Sequence, residues 1–152
     1  MRSNYQSKPF VALSHRGNSY KYVENSFEAF KSVVDMGFEY IETDLRKTLD
    51  NEIITFHDRD LKRLFNINLK VENLTFAEIN KFFSAKNCKL LTLKETLINF
   101  PQTKFNIDLK SKEVIKETIK IVKELKAFER VCFASFISSH TCLLYTSPSP
   151  RD

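Results

Sequence analysis

The stretch FEYIETDL, residues 38–45, alternates apolar and polar side chains and predicts a β-strand. A second apolar run, IITFH at residues 53–57, predicts another strand. Only seven residues lie between Leu45 and Ile53, which is too few for the helix that normally joins two parallel strands. We therefore expect this connection to be irregular or locally antiparallel.

On the N-terminal side, FVALS at residues 10–14 is a short apolar run typical of a buried parallel strand. A helix is predicted next, with Asn25 and Glu28 as a box-like capping pair at its start and Gly37 at its end. Its apolar residues recur at helical spacing, as the positions of Phe27, Phe30 and Val34 show.

On the C-terminal side, two threonine–glutamate capping boxes predict helices over residues 76–83 and 93–100. The remaining predicted elements are a strand at 104–110, an amphipathic helix at 113–126 and a strand at 131–136. Strands and helices alternate, so the predicted class is α/β with a largely parallel sheet. A (β/α)8 barrel usually needs ~250 residues, so we expect about five strands from the N-terminal part of a TIM-type barrel.

Composition excludes several functional classes. Of the 152 residues 28% are charged, and no apolar run approaches the ~20 residues that cross a bilayer, so no transmembrane segment is expected. The start, MRSNYQSKPF, lacks an apolar signal core. Three cysteines without metal-ligand spacing favour a reducing compartment, and we expect a cytoplasmic location. The net charge of +5 comes from cations spread among acids, so no nucleic-acid partner is expected.

The last eleven residues, CLLYTSPSPRD at 142–152, differ sharply from the lysine- and phenylalanine-rich chain before them. They resemble the translation of a transposase-type sequencing adapter in one reading frame. Composition alone would instead suggest a disordered tail rich in serine and proline. We therefore expect residues 1–141 to be a partial barrel domain and residues 142–152 to be a non-native, adapter-derived tail of a truncated gene.

Several side chains that can move protons or bind anions are predicted at the carboxyl ends of the strands, the edge where α/β barrels carry their chemistry. His15 ends the first strand and is followed by Arg16, and His57 ends the third strand. Asp108 and Lys110 share a face near the end of the fourth. A single histidine at a strand end is more often structural. These residues indicate a functional site only because several of them are predicted at the same edge of the sheet.

Glu42 and Asp44 are two residues apart and therefore point to the same side of their strand. Such a pair often marks a solvent face, but a parallel sheet is normally covered on both faces, and buried like charges require a cation. Carboxylate oxygens suit Mg²⁺ or Ca²⁺, and Asp108 is a candidate third ligand. Two histidines beside such an ion suit the hydrolysis of an anionic phosphodiester.

The pattern resembles the glycerophosphodiester phosphodiesterase family, and the motifs that carry the resemblance occur in that family's order and usual spacing. They are SHRG at 14–17, ENSFEAF at 24–30, ETD at 42–44, FHDRDLKR at 56–63 and DLK at 108–110. The resemblance implies a TIM-type barrel that cleaves glycerophosphodiesters to sn-glycerol 3-phosphate and an alcohol. It also implies that His15 and His57 are the catalytic acid and base, acting through a cyclic phosphate.

By the same matching, the divalent cation, Mg²⁺ or Ca²⁺, is bound by Glu42, Asp44 and Asp108. Asp108 stands where many relatives have glutamate, which keeps the carboxylate. Asn51 replaces the usual glycine of a turn and tolerates the positive φ such turns need. The family's C-terminal part is expected to be missing. The residues expected to bind the phosphate or another part of the substrate are Arg16, Lys110 and Glu24.

Three alternatives remain open at this point. One is a related barrel phospholipase that acts on whole lipids. Another is that the 152-residue chain is a non-functional, aggregation-prone barrel fragment with an uncovered sheet edge. A nucleic-acid-binding module is the least supported. The sequence leaves the head group, the metal, the order in which the histidines act and the oligomeric state undetermined.

Overall fold

The computed structural model describes residues 12–134. The predicted strand positions 10, 11, 135 and 136, and the expected tail at 142–152, lie outside these residues. The sheet contains β1 (Leu13–His15), β2 (Tyr40–Lys47), β3 (Ile53–Thr55), β4 (Lys104–Leu109) and β5 (Val131–Ala134). Strands β1, β2, β4 and β5 are parallel neighbours in that order, while β3 pairs antiparallel with β2. The predicted α/β class is confirmed.

The described helices pack around this sheet. They are α1 (Phe27–Asp35), α2 (Lys62–Phe65), α3 (Phe76–Ser84), α4 (Leu93–Asn99) and α5 (Ile115–Glu124). Short 3₁₀ turns occur at Val71–Asn73, Lys112–Val114 and Phe128–Arg130. None of the helices within residues 12–134 is long and apolar enough to cross a membrane.

Of the two alternatives predicted for the connection after β2, irregular or locally antiparallel, the structure shows the antiparallel one. Leu45 pairs with Thr55 and Lys47 with Ile53, so β2 and β3 form a hairpin rather than two barrel strands. Asn51 adopts φ 65 in this turn, as its side chain allows. The sheet therefore contains four parallel strands and one antiparallel strand.

The start of α1 differs from the prediction. Ser26, not Asn25, is the N-cap, and its hydroxyl accepts a hydrogen bond from the Ala29 amide at 3.1 Å. Glu28 instead accepts from the Lys89 amide at 2.8 Å. Asn25 has φ 58 and turns its side chain toward the sheet, because buried polar partners there compete with capping.

Alternate side chains of β2 point to opposite faces of the sheet, one facing the hydrophobic core and the other carrying the candidate site. Ile41 and Leu45 are fully buried in a hydrophobic cluster that also contains Phe30 of α1 and Phe105 of β4. A second cluster packs β3 and its following loop against α3. Because successive strand residues point to opposite faces, Glu42 and Asp44 lie on the face away from the first cluster.

Candidate functional site

The parallel register brings the predicted carboxylates into two neighbouring rows. His15 is paired with Glu42, which is paired with Asn106 on the next strand. One pleat further along, Asp44 is paired directly with Asp108. The period of two along each strand therefore predicted correctly that these side chains share one face of the sheet.

The end of β1 turns sharply and aims Arg16 at two acids. Arg16 has φ 61 and its amide still donates to the Glu42 carbonyl at 3.0 Å. Its guanidinium lies 3.1 Å from Glu24 Oε1 and 3.1 Å from Asp44 Oδ2. The predicted substrate residues Arg16 and Glu24 are thus in direct contact with each other.

Lys110 lies between the two aspartates that were predicted to bind a metal. Its Nζ is 2.9 Å from Asp44 Oδ1 and 2.5 Å from Asp108 Oδ2. Burial acts to lower the pKa of Lys110, but its hydrogen bonds to Asp108 and Asp44 outweigh burial and raise that pKa. Lys110 is therefore a cation at neutral pH and balances the charges of Asp44 and Asp108.

Glu42 is less well compensated than either aspartate. Its Oε2 is buried without a hydrogen-bond partner, and the nearest cationic candidate, His15 Nε2, is 3.7 Å away. Burial, followed by repulsion from Asp44, raises the pKa of Glu42 to about 7, against the opposing influence of Arg16 and Lys110. The His15 side chain is 68% exposed and so remains accessible to a substrate.

His57 lies two residues beyond the end of β3 at Thr55, so the prediction that it ends this strand is wrong by two positions. The Phe56 amide still donates to the Asp44 carbonyl of β2 at 2.9 Å, one position beyond the last paired residue of β3. His57 Nδ1 is 2.6 Å from Asp58 Oδ1. Arg46 of β2 holds the backbone by donating from Nε to the His57 carbonyl at 2.8 Å.

Two residues of this site were not singled out from the sequence. Asn25 donates to Asp44 Oδ2 at 3.0 Å and accepts from the Thr43 hydroxyl at 2.8 Å. Arg63 pairs with both Glu24 and Asp58. The only signal for either residue was its place inside a family motif, ENSFEAF for Asn25 and FHDRDLKR for Arg63.

The predicted metal ligands are only partly brought together. Within residues 12–134, no group of three His, Cys, Asp or Glu side chains is gathered around one point, because Lys110 occupies the space between Asp44 and Asp108. The donors nevertheless fit a hard divalent cation. Three carboxylates share one face, and Glu42 Oε2 is a buried oxygen without a donor.

A cavity of about 410 Å³ adjoins this cluster and is rich in cations. Its charged lining residues are Arg46, Lys47, Arg59, Lys110, Glu72 and Glu113. Together with the carboxylate rows and the two histidines, this arrangement suits an anionic substrate that is held by cations while imidazoles exchange protons with it.

Comparison with known proteins agrees with this geometry. A sequence model of the Glycerophosphoryl diester phosphodiesterase family matches residues 15–145. The chain is 32% identical over 127 residues to a Mycobacterium tuberculosis protein named "Probable glycerophosphodiester phosphodiesterase 2", covering 83% of this chain and 48% of that protein. It is 30% identical over 129 residues to Lysophospholipase D GDPD1 of Mus musculus, covering 75% of this chain and 41% of that protein.

Among solved structures, the chain superimposes on a glycerophosphodiester phosphodiesterase from Thermotoga maritima with a TM-score of 0.82 and 31% identity, covering 93% of this chain and 61% of that one. The expected fold is thereby confirmed as part of a TIM-type barrel. The chain spans about half the length of the curated relatives it matches. On the matched residues and the shared fold, it belongs to the glycerophosphoryl diester phosphodiesterase family.

Proposed function

We propose that the protein containing this chain is a metal-dependent phosphodiester hydrolase that cleaves glycerophosphodiesters to sn-glycerol 3-phosphate and an alcohol. The observation that carries the proposal is the pair of carboxylate rows on β2 and β4, flanked by His15 and by the cations Arg16 and Lys110. Family membership and the names of the bacterial relatives support the substrate class.

In this proposal Glu42, Asp44 and Asp108 hold a divalent cation, Mg²⁺ or Ca²⁺. When bound, the ion supplies a positive charge that stabilises the phosphate oxygens as negative charge develops on them. The under-compensated Glu42 carboxylate supports this assignment, since an added cation would offset its burial.

The chain's own residues bind the substrate and move its protons. Arg16 and Lys110 neutralise the phosphate. Since Asp58 occupies the Nδ1 side of His57, the Nε2 atom of that ring is left to exchange a proton with substrate. His15 is the second proton carrier. One imidazole accepts the proton of a neighbouring glycerol hydroxyl as that hydroxyl attacks phosphorus, and the other donates a proton to the oxygen of the departing alcohol. Water then opens the resulting cyclic phosphate to glycerol 3-phosphate, with the two imidazoles exchanging protons in the reverse direction.

Hydrolysis of lysophospholipids is a second candidate function. The observation that favours it is the name of the mouse relative, lysophospholipase D, which matches three quarters of this chain. Comparing turnover of deacylated diesters with turnover of lysophospholipids separates the two activities.

We also propose a cytoplasmic location, supported by the two free thiols, Cys88 and Cys132, within the described residues.

The test is an assay of the complete protein for glycerol 3-phosphate release from glycerophosphocholine and glycerophosphoethanolamine with Mg²⁺ or Ca²⁺. We expect release, loss of release in EDTA, and a fall of about 10²-fold or more for His15→Ala, the usual contribution of a general acid or base. Lys31→Ala is the control, because Lys31 is exposed and pairs with the exposed Asp35 on the surface of α1. Equal rates for the wild type and His15→Ala would refute the proposal.

A further inference from the structure

An unbroken chain of hydrogen bonds links His57 to Arg16 on the other side of the site. His57 Nδ1 is 2.6 Å from Asp58 Oδ1, and Asp58 Oδ2 is 2.6 Å from Arg63 Nε. The two terminal nitrogens of Arg63 bind both oxygens of Glu24, at 3.0 and 2.5 Å. Glu24 Oε1 also accepts from Arg16 at 3.1 Å. Two different loops and α2 are joined through these five side chains.

These contacts differ from ordinary surface salt bridges, which contribute little. The acids are shielded, since the side chain of Glu24 is 9% exposed and that of Asp58 is 19% exposed. Arg63 uses all three of its nitrogens, and its pairing with Glu24 is bidentate, the geometry that a guanidinium holds most rigidly. A lysine, with one side-chain nitrogen, cannot reproduce this bidentate pairing.

Two inner members of the chain, Asp58 and Arg63, stay charged at neutral pH. Burial acts to raise the pKa of Asp58, but hydrogen bonds from Arg63 and His57 outweigh it, and the pKa lies below its ordinary value. Hydrogen bonding to Glu24 raises the pKa of Arg63, against desolvation and with the help of Asp58. Asp58 is therefore a carboxylate that only accepts, and His57 Nδ1 must carry the proton between them.

We propose that Asp58 and Arg63 are positioning residues that hold the His57 ring in the Nδ1–H tautomer and tie its orientation to Arg16 through Glu24. The proposal rests on the proposed function, in which His57 Nε2 exchanges a proton with substrate and Arg16 binds the phosphate. Arg46 of β2 donates to the His57 backbone carbonyl, whereas Asp58 contacts the ring.

Arg63 is needed to hold helix α2 in place, because this helix has little other stabilisation. Helix α2 has four residues, no buried side chain and no side-chain N-cap. The bidentate pairing of Arg63 with Glu24 joins residues 39 positions apart in sequence and anchors α2 beside the loop after β1. Loss of this pairing is expected to free Asp58 and the His57 ring without unfolding the two hydrophobic clusters.

The experiment combines ¹⁵N NMR of the His57 ring with steady-state kinetics on the complete protein. His57→Gln identifies the resonance, and spectra are recorded where imidazole is neutral. In Asp58→Asn, the permanently charged Arg63 keeps the amide oxygen, so the amide NH₂ faces Nδ1 and the tautomer is expected to invert. We expect kcat to fall about 10- to 100-fold, as when an orienting partner of a functional histidine is lost.

Arg63→Met is expected to lower kcat about 10-fold with KM changed less than about 3-fold, and Arg63→Lys to restore only part of the loss. Lys62→Met is the matched control, because Lys62 is an exposed cation in the same four-residue helix α2. An unchanged tautomer and kcat in Asp58→Asn would overturn the proposal. An inactive wild type that keeps the Nδ1–H tautomer would refute the proposed function but not the positioning of the ring.

Discussion

The ionised form of Glu42 is destabilised first by burial and then by repulsion from Asp44, and this penalty can be measured. Its pKa of about 7 in the folded protein exceeds the ordinary 4.5, so the folded state binds more protons between these values. The free energy of unfolding contributed by Glu42 therefore falls as pH rises from about 4.5 to 7 and stays reduced above that range.

Replacement by glutamine removes this penalty. Without divalent cations, Glu42→Gln is expected to equal the wild type near pH 4 and to be more stable at pH 8 by about 1–3 kcal/mol after solvent screening. Urea unfolding at both pH values measures the difference. Glu39→Gln is the control, since Glu39 is 72% exposed and should show no such trend. A stability difference that does not change with pH would contradict the assigned cause.

The same variant tests the metal assignment. Added Mg²⁺ or Ca²⁺ is expected to raise the melting temperature of the wild type at pH 8, because an ion that binds only the folded state stabilises it. Glu42→Gln lacks one carboxylate and should respond less. Equal responses would remove Glu42 from the ligand set.

At this scale the sequence predicted what local geometry dictates. The period of two along a strand placed Glu42 and Asp44 on one face, and the predicted end of the fourth strand supplied Asp108 as a candidate third ligand. The roles of Asn25 and Arg63 in the site were not predicted, because their partners are distant in sequence. The Asn25–Asp44 contact spans 19 positions and the Arg63–Glu24 contact spans 39. No local pattern reports such contacts.

Between elements, the junction of β1 with α1 depends on one glycine. Gly17 has φ 75, and a Cβ there would lie 2.7 Å from the backbone carbon and 2.8 Å from the carbonyl oxygen of Ala29. Neither atom can move without displacing α1. Because Gly17 directly follows Arg16, the same displacement would move Arg16 away from Asp44.

Gly17→Ala is therefore expected to destabilise the fold by about 2–4 kcal/mol, combining positive-φ strain with overpacking. Gly37→Ala is the matched control. Gly37 has φ 90, but a Cβ added there would meet no atom within 4 Å, so only the strain of about 1 kcal/mol applies. Urea midpoints of the two variants give the comparison. Similar losses would show that contact with Ala29 is not the cause.

Helices whose signals are local were predicted most accurately. Both capping boxes form, with Thr75 and Thr92 accepting from the amides of Glu78 and Glu95. The start of α1 was misassigned because Asn25 is a good cap by residue type but finds a better partner in Asp44. Helix α2 was not predicted, since its four residues carry no capping signal.

Across the whole molecule, the sheet has two edges within residues 12–134. There β1 pairs only with β2, and β5 pairs only with β4. A TIM-type barrel closes by pairing such edges through further strands. The alternation of strands and helices was enough to predict this class. That alternation alone does not show that β3 is antiparallel to its neighbour. The short connection after β2 was the feature of the sequence that indicated it.

We propose that residues 1–141 are barrel sequence and that residues 142–152 derive from an adapter; the family match ends at residue 145, four positions inside the second segment. Sequencing the source DNA across codon 141 is expected to reveal a frame that continues for about 100 residues. In the chain with that continuation, amide hydrogen exchange should slow markedly in β1 and β5, whose outer edges become paired, and little in β2 and β4, which are already paired on both sides. A source frame that encodes CLLYTSPSPRD and stops would refute this division of the chain. Unchanged exchange in β1 and β5 would show instead that the added strands do not close the sheet.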